Sequence, residues 1–273
     1  MSQSKGFLSD MLTSIASIRR DFAPWFDAAS AFNDLGMLML PVAKADQSDN
    51  QQLVAATLYG RTLTSYQAAY LLTERGMLAD ARTIVRAAAE TAICLCAVVE
   101  KPSVIDLLIQ RHFFHHRRLR TSWLHEPQAR AALTDADIQA LKAGIEQIDS
   151  ECPDIAKMKR DPVSIADLAR DAGVTALYNV VYRSASGDAA HTSPDALNRH
   201  VKADMQGNIH GLKFGPETDD LPATLSDAIS VLAHALHAVR QLFQLHRFDD
   251  DLRACEASWS ALGVPAEYRP SVP

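Results

Sequence analysis

The sequence has little that suits a membrane protein, a disulfide-bonded secreted protein or a general nucleic-acid-binding protein. Its net charge of −6 disfavours nonspecific polyanion binding and leaves only local basic segments for such contacts. None of the four cysteines forms a CxxC pair, so we expect reduced thiols and a cytoplasmic location. The most apolar window, 84–99, is too short to span a bilayer, and the N-terminus lacks the apolar core of a signal peptide. We therefore expect a soluble intracellular protein.

Strand signals are almost absent and no internal repeat occurs, whereas helical patterns follow one another along most of the chain. They predict an all-α fold, an antiparallel multi-helix bundle with a long irregular connection near residues 186–216. Three glycines within 203–216 predict a loop or small hairpin there. The main predicted helices are 51–75, 78–100, 104–125, 134–150 and 221–248.

The same pattern predicts three parts of the chain. We expect a helical extension at residues 1–48, the bundle core at 49–248 and a C-terminal tail at 249–273. The tail carries three prolines and at most one short helical pattern.

A charged stripe interrupts the most apolar helical pattern. Arg82, Arg86 and Glu90 lie within about 80° of one another on a helical wheel whose other sides are apolar or small. Such a helix is central in a bundle, so these charges need partners. They form either an ion-pair network or an anion site in which Glu90 positions Arg86. Because Arg before Glu is the weaker order for an i,i+4 pair, partners elsewhere are favoured, such as Arg61 or the segment 182–191.

The segment RHFFHHRRLR at 111–120 gathers basic and aromatic side chains. The wheel places His112 on an apolar face, which predicts a buried histidine beside a solvated basic rim. A basic patch for RNA or a nucleotide is the alternative. The apolar residues of that face are Ile105, Leu108, Leu119 and Trp123. The patch comprises Arg111, His112, His115, His116, Arg117 and Arg118.

A metal site is a weaker hypothesis, because the histidine pairs lack a complete ligand set. Two histidines one helical turn apart need further ligands. His234 and His237 are predicted to lie away from the apolar face of the last helix, which makes them poor candidates for a buried site. Neither HExxH nor a Glu-x-x-His repeat occurs. We expect no metal and no cofactor.

The segment 178–193, YNVVYRSASGDAAHTS, concentrates groups capable of chemistry where the helical pattern is expected to break at Gly187. These groups are Tyr182, Arg183, Ser186, Asp188 and His191. One function is acid–base chemistry by His191 beside a phosphate held by Arg183. A Ser–His–Asp hydrolase lacks its usual GxSxG motif and strand context. A hydrogen-bonded knot that closes an irregular turn is the third alternative. In each case we expect the segment to meet the charged stripe inside the bundle.

Two sets of residues resemble a known family. Gly60-Arg61, followed by LLTERGMLADARTIVRAAAE with Arg86 and Glu90, is similar to the first half of an uncharacterised all-helical bacterial family. A second run is similar to the second half of that family. It reads Tyr182-Arg183-x-x-Ser186-x-x-x-x-His191-Thr-Ser-Pro and is followed by HGLKFGP and a long helix. The resemblance spans about residues 50–248 and implies a helical fold without assigning an activity.

The chain also resembles, more distantly, the HEPN-type helical domains. Many of these are metal-independent RNases of toxin and antiviral systems, with an Arg-x(4–6)-His motif that acts across a dimer. In this sequence seven residues separate Arg183 from His191, and four separate Arg111 from His116. The resemblance implies a homodimer in which His191 acts on RNA and Arg183 holds the scissile phosphate.

The sequence therefore leads to two hypotheses about function. The first is a binding or regulatory domain whose polar site accepts a phosphate-bearing small molecule or RNA. The second is a HEPN-like RNase of a bacterial stress or defence system. The residues leave open whether the protein is an enzyme.

Overall fold

The structure is a computed structural model that describes residues 3–8, 14–188, 194–204 and 206–263. These residues fold as a helical bundle with one small antiparallel hairpin, so the prediction of an all-α fold is confirmed. Within the described ranges, no helix is both long enough and apolar enough to cross a lipid bilayer.

The α-helices closely follow the predicted segments. In chain order they are α1 (Ser14–Asp21), α2 (Ala23–Met39), α3 (Asn50–Glu74), α4 (Leu78–Glu100), α5 (Val104–His125), α6 (Pro127–Ala131), α7 (Asp135–Glu151), α8 (Ile165–Asp171), α9 (Arg183–Asp188), α10 (Pro194–Asn198), α11 (Leu221–Leu242) and α12 (Asp249–Ser260). A π-helix covers Leu177–Tyr182, and short 3₁₀ turns cover Gln3–Leu8, Leu40–Val42, Ile155–Lys157 and His246–Phe248.

Three long helices, α3, α4 and α11, form the centre of the bundle. α3 and α4 are antiparallel because the chain reverses at Gly76, whose φ of 71° is accessible to glycine at little cost. A Cβ on Gly76 would lie 2.7 Å from the Pro216 side chain, so the turn also needs glycine for close approach. α11 runs parallel to α4, since Cys96 contacts the His234 carbonyl and Glu100 accepts from Gln241.

The outer helices share this core. Tyr59 and Tyr66 of α3 donate hydrogen bonds to carbonyl groups of α2, and Phe32 of α2 packs edge-on against Trp259 of α12. Apolar side chains from each of the three predicted parts, including Phe32 and Trp259, therefore lie in one hydrophobic cluster.

α5 leaves the core after its first turns. Its N-terminal residues pack on the main cluster, but Phe114 forms a separate small cluster with Ile148 of α7 and Ile155. Of the face predicted to be apolar and buried, Ile105 and Leu108 pack on the main cluster, whereas its C-terminal part is turned outward, with Leu119 56% and Trp123 44% exposed. The helical wheel located this face correctly, but α5 is peripheral and its opposite side meets α7.

One helix boundary in the C-terminal half needs correction. The last long helix ends at Leu242 rather than near residue 248, because Gln244 adopts a positive φ of 54° and the Leu245 amide bonds back to Arg240. The irregular connection contains α9, α10 and a hairpin of β1 (Val201–Ala203) and β2 (Ile209–Leu212).

Candidate functional site

Arg86 is the centre of a polar site between α4 and the segment that follows α8. Its Nε donates a hydrogen bond of 2.7 Å to the Ser186 hydroxyl, and its Nη2 donates one of 3.0 Å to the Tyr182 hydroxyl. The predicted meeting of the charged stripe with the segment 178–193 is therefore confirmed for these three residues.

The backbone around Tyr182 explains how the two hydroxyls reach Arg86. Leu177–Tyr182 form a π-helix, in which Leu177 and Val181 are buried against the core. Single π turns within helices occur often at functional sites. The Ser186 hydroxyl donates 2.6 Å to the Tyr182 carbonyl one turn earlier, so its lone pairs remain free to accept from Arg86. α9 continues to Asp188, one residue past the predicted break at Gly187, and the π-helix lies before it.

The Tyr182 ring packs against the guanidinium of Arg86. The Arg86 Cζ lies 4.8 Å from the ring centroid, and Tyr178 stacks on Tyr182 with centroids 5.3 Å apart. Burial raises the pKa of Tyr182, although the Arg86 charge opposes this rise. The phenol therefore stays protonated at neutral pH. Its oxygen accepts from Arg86, and none of the described residues accepts its proton.

The charge of Arg86 has no carboxylate partner among the described residues. Ser186 and Tyr182 supply neutral oxygens only. The remaining terminal nitrogen, Nη1, makes no described hydrogen bond and is not a buried atom, so it reaches solvent. A half-buried guanidinium in this situation favours an anion.

Glu90 is engaged elsewhere, which contradicts the hypothesis that it positions Arg86. Its Oε1 lies 2.8 Å from Nη1 of Arg111 on α5. Arg111 Nε in turn donates to Asp161, which also contacts His115 at 3.1 Å. The i,i+4 order disfavoured an Arg86–Glu90 pair, and the bundle supplies a better partner from the next helix.

The other predicted site residues are not all gathered here. Arg61 is exposed on α3 and has no hydrogen bond or ion pair in the described ranges, so it is not a partner of the stripe. Arg82 is half-buried one turn before Arg86, and Arg183 is exposed beside Tyr182. His191 and the Asp188 side chain lie outside what the structure describes.

The predicted basic patch on α5 is largely paired. Arg117 forms a two-pronged contact with Asp149 of α7, at 2.6 and 3.1 Å, and Arg118 lies over the Phe114 ring. Arg111 and His115 share Asp161. Carboxylates therefore pair with Arg111 and Arg117, whereas the exposed Arg118 has only the ring contact and keeps its charge.

The predicted burial of the α5 histidine is wrong, and so is the predicted exposure of His234. His112 is exposed, and its ring centroid lies 4.2 Å from that of His116. His234 is only 5% exposed, because α11 is buried on nearly all sides between α3 and α4. Burial lowers the pKa of His234 to about 4, so the imidazole is neutral. The described residues contain no group of three or more metal-binding side chains.

Asp227 on α11 was missed by the sequence analysis. It is 3% exposed, and its Oδ1 has no hydrogen-bond partner among the described residues. Burial raises its pKa to about 7, while the charge of Arg82 opposes that rise. The available signal was an aspartate within the apolar pattern of residues 221–242.

Comparison with known proteins gives one match. A family model described as a family of unknown function (DUF5677) matches residues 52–209. That range contains Arg86, Glu90, Tyr182 and Ser186, and it ends before α11, where the resemblance stated from the sequence extended to residue 248. Neither the curated proteins nor the solved structures give a match.

Proposed function

The chain belongs to the DUF5677 family, and from the geometry of its polar site we propose that it is a binding domain for a phosphate-bearing small molecule. The ligand's phosphate binds Arg86, and Tyr182 and Ser186 hold the guanidinium in place. Arg183, exposed on the adjacent turn, supplies further positive charge at the entrance.

The observation that carries this proposal is the unneutralised charge of Arg86. A half-buried arginine is usually paired with a carboxylate, since removing its charge from water is costly. Here Glu90, one turn away, is bound to Arg111 instead. A phosphate oxygen would supply the missing negative charge.

The donors around Arg86 suit an oxyanion. Nη1 faces outward, and the Tyr182 hydroxyl has a proton to donate. The guanidinium fork is oriented by two short hydrogen bonds and the ring below it, so little conformational entropy is lost on binding. The competing account is a hydrogen-bonded knot that only joins α4 to α9.

Isothermal titration of the full chain with inorganic phosphate tests the proposal. We expect saturable binding that Arg86→Met abolishes and that Tyr182→Phe weakens about tenfold, because a hydrogen bond to a charged group is worth about 1.5 kcal/mol or more. Arg118→Gln is the matched control, since this exposed arginine lies over the Phe114 ring outside the site.

Two results would refute the phosphate site. One is the absence of binding to the folded wild-type chain. The other is equal binding by the wild type and Arg86→Met, which would assign the phosphate to another place. A folded Arg86→Met variant, verified by its circular dichroism, is required for either comparison.

A second candidate function, a metal-independent RNase, is supported by the exposure of Arg183 beside the site. In that reaction Arg183 holds the scissile phosphate and His191 is the acid–base group. RNA cleavage in the presence of chelator should then disappear in His191→Ala. Equal cleavage by both proteins would remove His191 from catalysis.

We further propose a cytoplasmic location. The thiols of Cys94 and Cys96 are buried and unpaired, and burial raises the pKa of Cys94 to about 11. Free thiols are typical of a reducing compartment. Fractionation of the producing cell would test this location.

A further inference from the structure

A second apolar face runs along almost the whole of α5, opposite the side that packs on the protein. Ile109, Leu119 and Trp123 are 47%, 56% and 44% exposed. His112 and His116 lie between them and are exposed as well, whereas Ile105 at the N-terminal end is half-buried against the main hydrophobic cluster. The buried residues Phe114 and Leu124 project from the other side.

The spacing of these residues is that of a coiled-coil seam. Successive members are separated by four, three, four, three and four residues, which is the a/d pattern of heptads. The seam consists of Ile105, Ile109, His112, His116, Leu119 and Trp123. From Ile105 to Trp123 the seam extends for about 27 Å of the helix.

The seam is symmetric about position 114. Ile105 and Trp123 are equally far from that position, and so are Ile109 and Leu119, and the two histidines. In an antiparallel helix pair related by a two-fold axis, each residue meets its counterpart across the axis. Each layer then pairs apolar with apolar, or imidazole with imidazole.

The charges beside the seam agree with the same arrangement. Asp106 and Arg120 occupy equivalent flanking positions, one after Ile105 and one after Leu119. An antiparallel pairing brings Asp106 of each copy beside Arg120 of the other. Neither residue has an ionic partner among the described residues; Asp106 is exposed, and the half-buried Arg120 side chain lies against Gly144 of α7.

We propose that α5 forms a homodimer with a second copy of this chain, through an antiparallel two-helix interface along this seam. The seam does not include Arg111, which contacts Glu90 of α4 from another face of α5. The His112–His116 layers lie at its centre. Burial of Ile109, Leu119 and Trp123 supplies its apolar contacts.

Sedimentation of the full chain over a concentration series tests the interface. We expect a monomer–dimer equilibrium that Leu119→Glu weakens by at least about tenfold, because the variant places a charge in an apolar layer. Leu38→Glu is the control. Leu38 is 61% exposed on α2, away from the seam, so the same substitution there should leave self-association unchanged.

The antiparallel arrangement is tested by exchanging charges. Asp106→Arg and Arg120→Asp should each weaken the dimer, and the double variant should restore it. A wild-type chain that is monomeric at all concentrations overturns the proposal. So does a dimer that tolerates Leu119→Glu, or one in which the double variant adds the two losses together.

Discussion

α4 and α5 follow one another in the chain, have nearly equal length and both mix charged with apolar residues, yet they are buried to very different extents. Residues 91–99 of α4 are all buried, whereas only Val104, Phe114 and Leu124 of α5 are. α4 lies between α3, α11 and the π-helix, while α5 lies at the edge and touches α7. A helical wheel thus identifies an apolar face, but the neighbouring helices decide whether it is covered.

The polar residues of the two helices differ for the same reason. On α4 the guanidinium of Arg86 is half-buried, so its charge is worth more to a ligand than a fully exposed charge would be. On α5 Arg117 pairs with Asp149 near the surface, where screening makes such pairs weak. The candidate ligand site is therefore on α4, and the candidate contact surface is on α5.

The largest expected difference is between matched leucines. Leu95 of α4 is fully buried, so Leu95→Ala should lower the free energy of unfolding by about 2–5 kcal/mol. Leu119→Ala on α5 should cost less than about 0.5 kcal/mol in the monomer, because this side chain is exposed. Urea unfolding at low protein concentration measures both. Equal losses would contradict the assignment of the two faces.

Asp227 should make stability fall as pH rises. Its pKa is about 7 when folded against an ordinary value of 3.8, so between these values the folded chain binds more protons than the unfolded one. The contribution of Asp227 to the free energy of unfolding is therefore greatest below pH 4. It declines between pH 4 and about pH 7 and is constant at higher pH. Asp227→Asn should remove the decline and gain up to about 4 kcal/mol at pH 8. An unchanged pH profile in the variant would disprove this.

Glu90→Gln should have an intermediate effect. Arg111 would lose one of its two carboxylate partners in a half-buried position, which should cost about 1–2 kcal/mol. A double-mutant cycle with Arg111→Gln measures the coupling by urea unfolding. A coupling near zero would mean that Glu90 is stabilised by something other than Arg111.

Asp149→Asn should have the smallest effect. The Arg117–Asp149 contact joins α5 to α7, and its side chains are 27% and 33% exposed; a solvent-accessible pair of this kind contributes about 0.5–1 kcal/mol. Added salt should shrink the difference between wild type and variant. A loss as large as that of Glu90→Gln would show that α5 is better shielded than its exposure indicates.

The sequence was sufficient to predict most of the helices and one contact of the site, that of Arg86 with the segment 178–193. The predicted helices 51–75, 78–100 and 104–125 closely match α3, α4 and α5, and the wheel placed Arg86 beside other protein. The partner of Glu90 could not be predicted, because it depends on how α5 crosses α4. The burial of His234 and Asp227 likewise depends on α11 being surrounded by other helices, which its own polar pattern does not reveal.

The central claim is that Arg86 binds an anion. The free energy of unfolding, measured with and without phosphate, tests it most directly. The account predicts that phosphate stabilises the wild-type chain, by about 2.7 kcal/mol at one hundred times its dissociation constant. Arg86→Met should show no such gain, and Arg118→Gln should retain it. If phosphate stabilises neither the wild type nor the control, and Arg86→Met is simply less stable throughout, then Arg86 only joins the helices and the account is wrong.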